Sequence, residues 1–248
     1  MCIRDRFGQN FLTDQHVIQQ IISAVSARPA QSLLEIGPGQ GALTSHLHAS
    51  GCRLKVIEID RDLAAALKSR GFDVIVGDVL RQDLTSVTSE PTRVVGNLPY
   101  NISTPLLFRL FGLDNIVDMH FMLQKEVVDR LSASPGNRNY GRLSVMAQFH
   151  CDPEKLFEVD PVAFTPAPKV TSAVVKMVPR LDKPVVMHTI LEKVVTTAFT
   201  QRRKTIRNAL SSIIDENTLC SLDIDPRRRP DTLSLDDYVR CANAIGVN

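Results

Sequence analysis

The sequence predicts an α/β fold followed by a small all-helical C-terminal domain. Three observations carry that reading. Short apolar runs alternate with helical patterns between Gln31 and Gln124, a glycine-rich turn follows the first run, and beyond about Pro184 strand-type runs give way to helical ones. Strand–helix–strand alternation implies a parallel sheet covered on both faces, because each crossover returns through a helix.

SLLEI (32–36), RLKVIEI (53–59), FDVIV (72–76), TRVVG (92–96) and VDMHFML (117–123) read as buried strands, each a short apolar run. Residues 41–50 and 61–70 read as helices, the second favoured by Ala64, Ala65, Ala66 and Leu67. A further helix is expected at 141–150, with β-type runs around 154–160 and 171–178. FTPAPKV (164–170) must be a stiff loop, since proline fixes φ. Residues 187–213 read as one continuous helix, and the remainder as short helices broken by DPRRRPD (225–231). The expected domains are 1–183 and 184–248.

A chain of 248 residues can bury one large and one small core. No apolar run approaches the ~20 residues needed to cross a bilayer. MCIRDRFGQN carries charges where a signal peptide needs an apolar stretch, so a cytoplasmic protein without a membrane partner is expected. Cys2, Cys52, Cys151, Cys220 and Cys241 are scattered with no CxxC pair, so neither a disulfide framework nor a metal site is expected. The net charge of +2 hides clustering: Arg202, Arg203, Lys204 and Arg207 fall within six positions, and Arg227, Arg228 and Arg229 form a trio. Such density attracts phosphate even on a near-neutral molecule.

Glu35-Ile36-Gly37-Pro38-Gly39-Gln40-Gly41 follows the first strand and opens a helix. Glycines let the backbone bend sharply and approach a ligand closely. Taken alone the loop is ambiguous: Gly37, Gly39 and Ala42 also fit a dinucleotide fingerprint, with Glu58 as the ribose-binding acid. Two features favour S-adenosylmethionine over NAD. Glu35 lies just before the glycines, near where a ligand's ammonium and sulfonium would sit, and Asp78 ends the third strand, suited to an adenine amino group. An acid-lined pocket would repel the pyrophosphate of NAD. Glu58 would accept both ribose hydroxyls.

Val95-Gly96-Asn97-Leu98-Pro99-Tyr100 runs off the fourth strand into the same crevice. The exocyclic nitrogen of adenine is a poor nucleophile because its lone pair is delocalised into the ring. Two acceptors aimed at its hydrogens, the Asn97 amide oxygen and the Leu98 carbonyl, would draw it towards tetrahedral geometry. Pro99 fixes the turn without a competing donor, and Tyr100 offers a ring for the base to stack on. Orientation of methyl and amine would supply most of the rate gain, with no general base required.

Several segments together resemble the KsgA-type (RsmA) small-subunit ribosomal RNA adenine dimethyltransferases. They are FGQNFLTD (7–14), EIGPGQGALT (35–44), VIEIDRDL (56–63), NLPYNISTPLL (97–107), FMLQKEV (121–127), YGRLSVMAQF (140–149), AFTPAPKVTSAVV (163–175) and FTQRRKTIRNAL (199–210). The resemblance implies a Rossmann-like S-adenosylmethionine-dependent methyltransferase fold. It implies dimethylation of two adjacent adenosines in the loop of the last helix of 16S rRNA, in the immature 30S subunit, by an enzyme expected to be monomeric. It also carries the cofactor contacts to Asn10, Leu12, Gly37, Glu58, Asp78 and Asn97, with Gly39 in the same loop. Phe164 becomes a second ring facing Tyr100, so that a flipped adenine is sandwiched. Arg202, Arg203, Lys204 and Arg207, on a helix with one basic and one apolar face, are the expected RNA contacts, and Arg138 and Arg142, flanking Tyr140, are expected to add to that surface. MCIRDR departs from the basic stretch that members carry before FGQNFL. An Erm-type enzyme acting on 23S rRNA is the nearest rival, and a non-catalytic assembly factor on the same fold is another.

Overall fold

A computed structural model describes residues 9–246, so MCIRDR, Cys2 and the first two residues of FGQNFLTD lie outside it. The chain divides into two compact units. One comprises residues to Val128 with Glu154–Pro179; the other comprises Asp129–Pro153 with Arg180 to the end.

The first unit holds a seven-stranded sheet and a two-stranded ribbon. In chain order to residue 179, taking both units together, the elements are β1 (Phe11–Leu12), α1 (Gln15–Val25), β2 (Ser32–Ile36), α2 (Thr44–Ala49), β3 (Arg53–Glu58), α3 (Arg61–Ser69), β4 (Asp73–Val76) and α4 (Leu84–Val87). They continue with β5 (Thr92–Asn97), α5 (Ser103–Leu110), β6 (Ile116–Gln124), α6 (Lys125–Leu131), α7 (Arg142–His150), β7 (Cys151–Val159), β8 (Phe164–Thr165) and β9 (Ser172–Pro179). The five expected strands coincide with β2 to β6, within a residue at most ends.

The sheet order is β4-β3-β2-β5-β6-β9-β7. The run from β4 to β6 is parallel, whereas β9 joins β6 antiparallel, so the sheet is mixed. After β2 the chain moves to one side for β3 and β4, then returns to the other side for β5. Strand order therefore reverses between β2 and β5, where sheets of this kind hold ligands beyond their carboxyl ends. Both strands are buried almost throughout, which fixes Gly37 and Asn97 at neighbouring strand exits.

Helix ends follow their capping residues. Asp14 accepts from the His16 and Val17 amides at the start of α1, and Asp60 does the same for Asp62 and Leu63 at α3. α1, which the sequence reading passed over, turns Ile18, Ile21 and Val25 into the core at helical spacing.

Within the second unit, α8 (His188–Thr200), α9 (Ile206–Leu210), α10 (Glu216–Ser221) and α11 (Leu235–Gly246) join α7. A cut at 183/184 placed residues 129–153 in the larger domain, whereas they cluster with the helices. The cause is α7: Leu143, Ser144, Val145, Met146, Ala147, Phe149 and His150 are all buried, so this helix needs neighbours all round, and it packs with α8 and α11. Tyr140, flanked by two expected RNA contacts, is fully buried here, its ring 6.2 Å from that of Phe199.

The expected continuous helix over 187–213 is interrupted. α8 stops at Thr200, residues 201–204 form a turn, and α9 starts afresh at Ile206. Tertiary partners outcompete the helical ones: the Ile206 amide donates to the Arg228 carbonyl (2.6 Å) and the Arg207 amide to that of Pro226 (3.2 Å). QRRK is therefore a turn and not a helical face.

Candidate active site

A cleft of about 620 Å³ opens at the switch point. Asn10, Leu12, Gly37, Gly39, Glu58, Asp78, Asn97, Leu98, Pro99, Tyr100 and Phe164 all line it. Every residue expected to meet cofactor or base is thus in one place, although they run from Asn10 to Phe164 along the chain.

Strand exits tie the loops down. The Gly37 amide donates to Ile57 O (2.9 Å), the Gly77 amide to Glu58 O (2.8 Å) and the Leu98 amide to Met122 O (3.2 Å). Gly37 and Gly39 have φ of +67° and +57°, which L side chains rarely adopt. Gly96 is required for a different reason: a Cβ there would lie 2.6 Å from the Ile36 carbonyl oxygen of the adjacent strand.

Three acids face this space. Glu58 uses both oxygens, Oε2 accepting from the Gly39 amide (3.0 Å) and Oε1 from the Asp60 amide (2.9 Å). It therefore shapes the glycine loop as well as presenting its remaining lone pairs to the cleft. Burial pushes its carboxyl up, and these backbone donors oppose the rise. Asp78 closes its own turn, Oδ1 accepting from the Leu80 amide (2.9 Å). Glu35 is 2% exposed, and its buried Oε2 has no hydrogen-bond partner. Burial pushes Glu35 up to about 7, the Thr44 hydroxyl opposing and the Glu58 charge adding.

An orphaned acceptor in an acid-lined cleft fits a ligand bearing positive charge, such as the ammonium of S-adenosylmethionine, and disfavours a pyrophosphate. A titration consequence follows. Folded Glu35 keeps its proton up to about 7 whereas the unfolded carboxyl loses it near 4.5, so this stability is intact at low pH and lost as pH rises through about 7. Thermal melts of the ligand-free protein at pH 5 and pH 8 should show that loss, and Glu35→Gln should reduce it. Identical slopes for both proteins would refute the assignment.

The Asn97 amide has a defined polarity. Its Nδ2 donates to the Asn10 carbonyl at 3.1 Å. A carbonyl can only accept, so the atom facing Asn10 must be nitrogen and Oδ1 is the free acceptor. Asn10 works here through its backbone, which no side-chain pattern could have revealed. Tyr100 is held by its hydroxyl, 3.0 Å from Ser172 Oγ. Phe164 is 4% exposed and belongs to the main apolar core, yet also lines the cleft.

A ribbon missed from sequence seals the wall. β1 pairs antiparallel with β8, Leu12 opposite Phe164, and the Thr13 amide donates to Ala163 O (2.8 Å). Phe11 lies against the glycine loop, 3.1 Å from where a Gly39 Cβ would be. Arg70 reaches the same loop, Nη1 donating to Gln40 O (3.0 Å). Two-residue strands have no readable period, and Arg70 meets Gln40 across 30 positions, so neither left a local signal.

The expected RNA contacts lie in the second unit. Arg202 donates to the Arg138 carbonyl (2.6 Å) and pairs with Asp231, Arg142 pairs with Glu192 (2.7 Å), and Arg207 pairs with Glu216 (3.2 Å). Arg138, Arg203 and Lys204 are exposed and make no ion pair among the described residues.

Residues 2–246 match the family model described as ribosomal RNA adenine dimethylase. The chain is 54% identical over 244 residues to the ribosomal RNA small subunit methyltransferase A of Methylococcus capsulatus, covering 95% of each. It is 51% identical to the protein of that name from Pseudomonas aeruginosa, covering 98% of this chain and 94% of the relative. Among solved structures, a dimethyladenosine transferase from Plasmodium falciparum superposes with a TM-score of 0.83 at 24% identity, covering 95% of this chain and 98% of that one. The 23S rRNA methyltransferase ErmE does so with a TM-score of 0.75 at 25% identity, covering 96% and 100%.

Proposed function

The chain belongs to the ribosomal RNA adenine dimethylase family, and from that premise we propose that it dimethylates the N6 amino groups of two adjacent adenosines in the loop of the 3′-terminal helix of 16S rRNA. The observation that carries the chemistry is the polarity of the Asn97 amide. S-adenosylmethionine, when bound, supplies a methyl group made electrophilic by its sulfonium. Everything else falls to the chain. Asn97 Oδ1 and the Leu98 carbonyl accept the two N6 hydrogens and localise the nitrogen lone pair. Tyr100 and Phe164 hold the base plane from either side, with the Tyr100 hydroxyl anchored on Ser172. Glu35, Glu58 and Asp78 hold the cofactor's ammonium, ribose and adenine, assisted by Asn10, Leu12 and the Gly37–Gly39 backbone.

The small-subunit substrate is favoured over the 23S alternative by the relatives. Proteins 49–54% identical are named small-subunit enzymes, whereas ErmE shares 25%. The partner in this reading is the immature 30S subunit, met by a monomer in the cytoplasm late in assembly. No described helix is long and apolar enough to cross a membrane. Mass spectrometry of 30S and 50S rRNA from an unmodified strain, incubated with enzyme and cofactor, tests the proposal. Dimethyladenosine should appear in 16S rRNA; label in the large subunit, or none, would overturn it.

Arg203, Lys204 and Arg138 are the phosphate-binding side chains in this reading, since Arg202 and Arg207 have carboxylate partners of their own. Replacing Arg203 and Lys204 by glutamine should reduce the salt dependence of RNA binding, by about one unit of slope for each phosphate no longer neutralised. An unaltered slope in a salt titration would place the RNA elsewhere.

A further inference from the structure

Asp78 comes off β4, the edge strand, which is only four residues long and has a sheet neighbour on one side alone. The loop that follows therefore needs a second support, and Arg109 on α5 provides it. Its Nη1 donates to the Val79 carbonyl and its Nη2 to the Gln82 carbonyl, both at 2.8 Å. Between those anchors the loop closes on Asp78: the Arg81 and Gln82 amides donate to its carbonyl at 2.9 and 3.1 Å, and the Leu80 amide to Oδ1 at 2.9 Å. Oδ2 is left facing only Arg81 Nε at 3.6 Å, on a side chain 87% exposed.

Arg109 makes no ion pair among the described residues. Its planar fork is matched to two carbonyls at once, a geometry that lysine cannot reproduce. We propose that Arg109 is a positioning residue that sets base selectivity for the cofactor, holding the 77–82 loop so that Asp78 presents an acceptor to a 6-amino purine and repels a 6-oxo purine. The proposal rests on Asp78 as the adenine-facing acid. It adds that a residue outside the cleft wall, on the helix that follows the substrate turn, enforces the choice.

Calorimetric titration with S-adenosylhomocysteine and S-inosylhomocysteine, which differ at position 6 of the purine, tests this. Wild-type protein should prefer the adenine form by about tenfold or more, the effect of one hydrogen bond to a charged acceptor. Arg109→Met should bring the ratio close to unity, mainly by weakening the adenine form, and Arg109→Lys should restore part of it. Arg109→Met with the wild-type ratio, even if both affinities fall together, would mean a merely structural role and overturn the proposal. Should the Met variant not fold, a wild-type ratio in Arg109→Lys overturns it equally. Asp78→Ala separates the two layers. If that variant keeps the wild-type ratio, the reading of Asp78 falls and the proposal with it; if it loses the ratio while Arg109→Met keeps it, only the proposal falls.

Discussion

Replacing Asn97 by alanine is expected to slow methyl transfer by about 10²–10³-fold with the fold intact, the scale seen when one preorganised polar group is removed from a reacting centre. The loss should appear in single-turnover rates at saturating cofactor and RNA, because the acceptor acts on the amine as it reacts. Asn97→Asp is the informative companion. It keeps an oxygen towards the base but turns a second one against the Asn10 carbonyl, where the present amide donates. Two acceptors facing each other repel, so aspartate should not restore the rate. Wild-type turnover in Asn97→Ala would remove the basis of the mechanism.

The second large effect is on cofactor binding. Glu58→Ala should weaken it by about 2–3 kcal/mol, roughly 30- to 150-fold, the range for losing a charged hydrogen-bond partner. Two losses combine: the acceptors proposed for the ribose hydroxyls disappear, and the Gly39 and Asp60 amides lose the carboxylate that orders them. Glu58→Gln separates these losses. Its single oxygen can serve only one of the two amides, so glutamine should fall between wild type and alanine. A dissociation constant unchanged by either substitution would reject the assignment.

The glycine loop and the Asn97–Tyr100 turn were legible because each is a short, contiguous segment between a strand and the helix that follows it. Where chemistry depends on a distant pairing, the chain showed less. Asn10 could be assigned to the site only through family resemblance, and its contact with Asn97 is made by a backbone carbonyl. Ser172, which anchors Tyr100, lies 72 positions away from it. The basic cluster was visible as composition, yet its shape was misread: a helix was expected across QRRK, but the amides of Ile206 and Arg207 bond to the 226–228 loop instead.

Strand identity, strand order of appearance, the glycine turn and the acid-rich character of the cleft follow from the sequence itself, because period, local turn chemistry and charge are properties of neighbouring residues. Which carbonyl meets which amide, that residues 129–153 belong with the helices, and which arginines have carboxylate partners were decided only by the tertiary structure. Those outcomes depend on contacts between segments far apart in the chain, where burial of α7 and satisfaction of each buried polar group outweigh local preference.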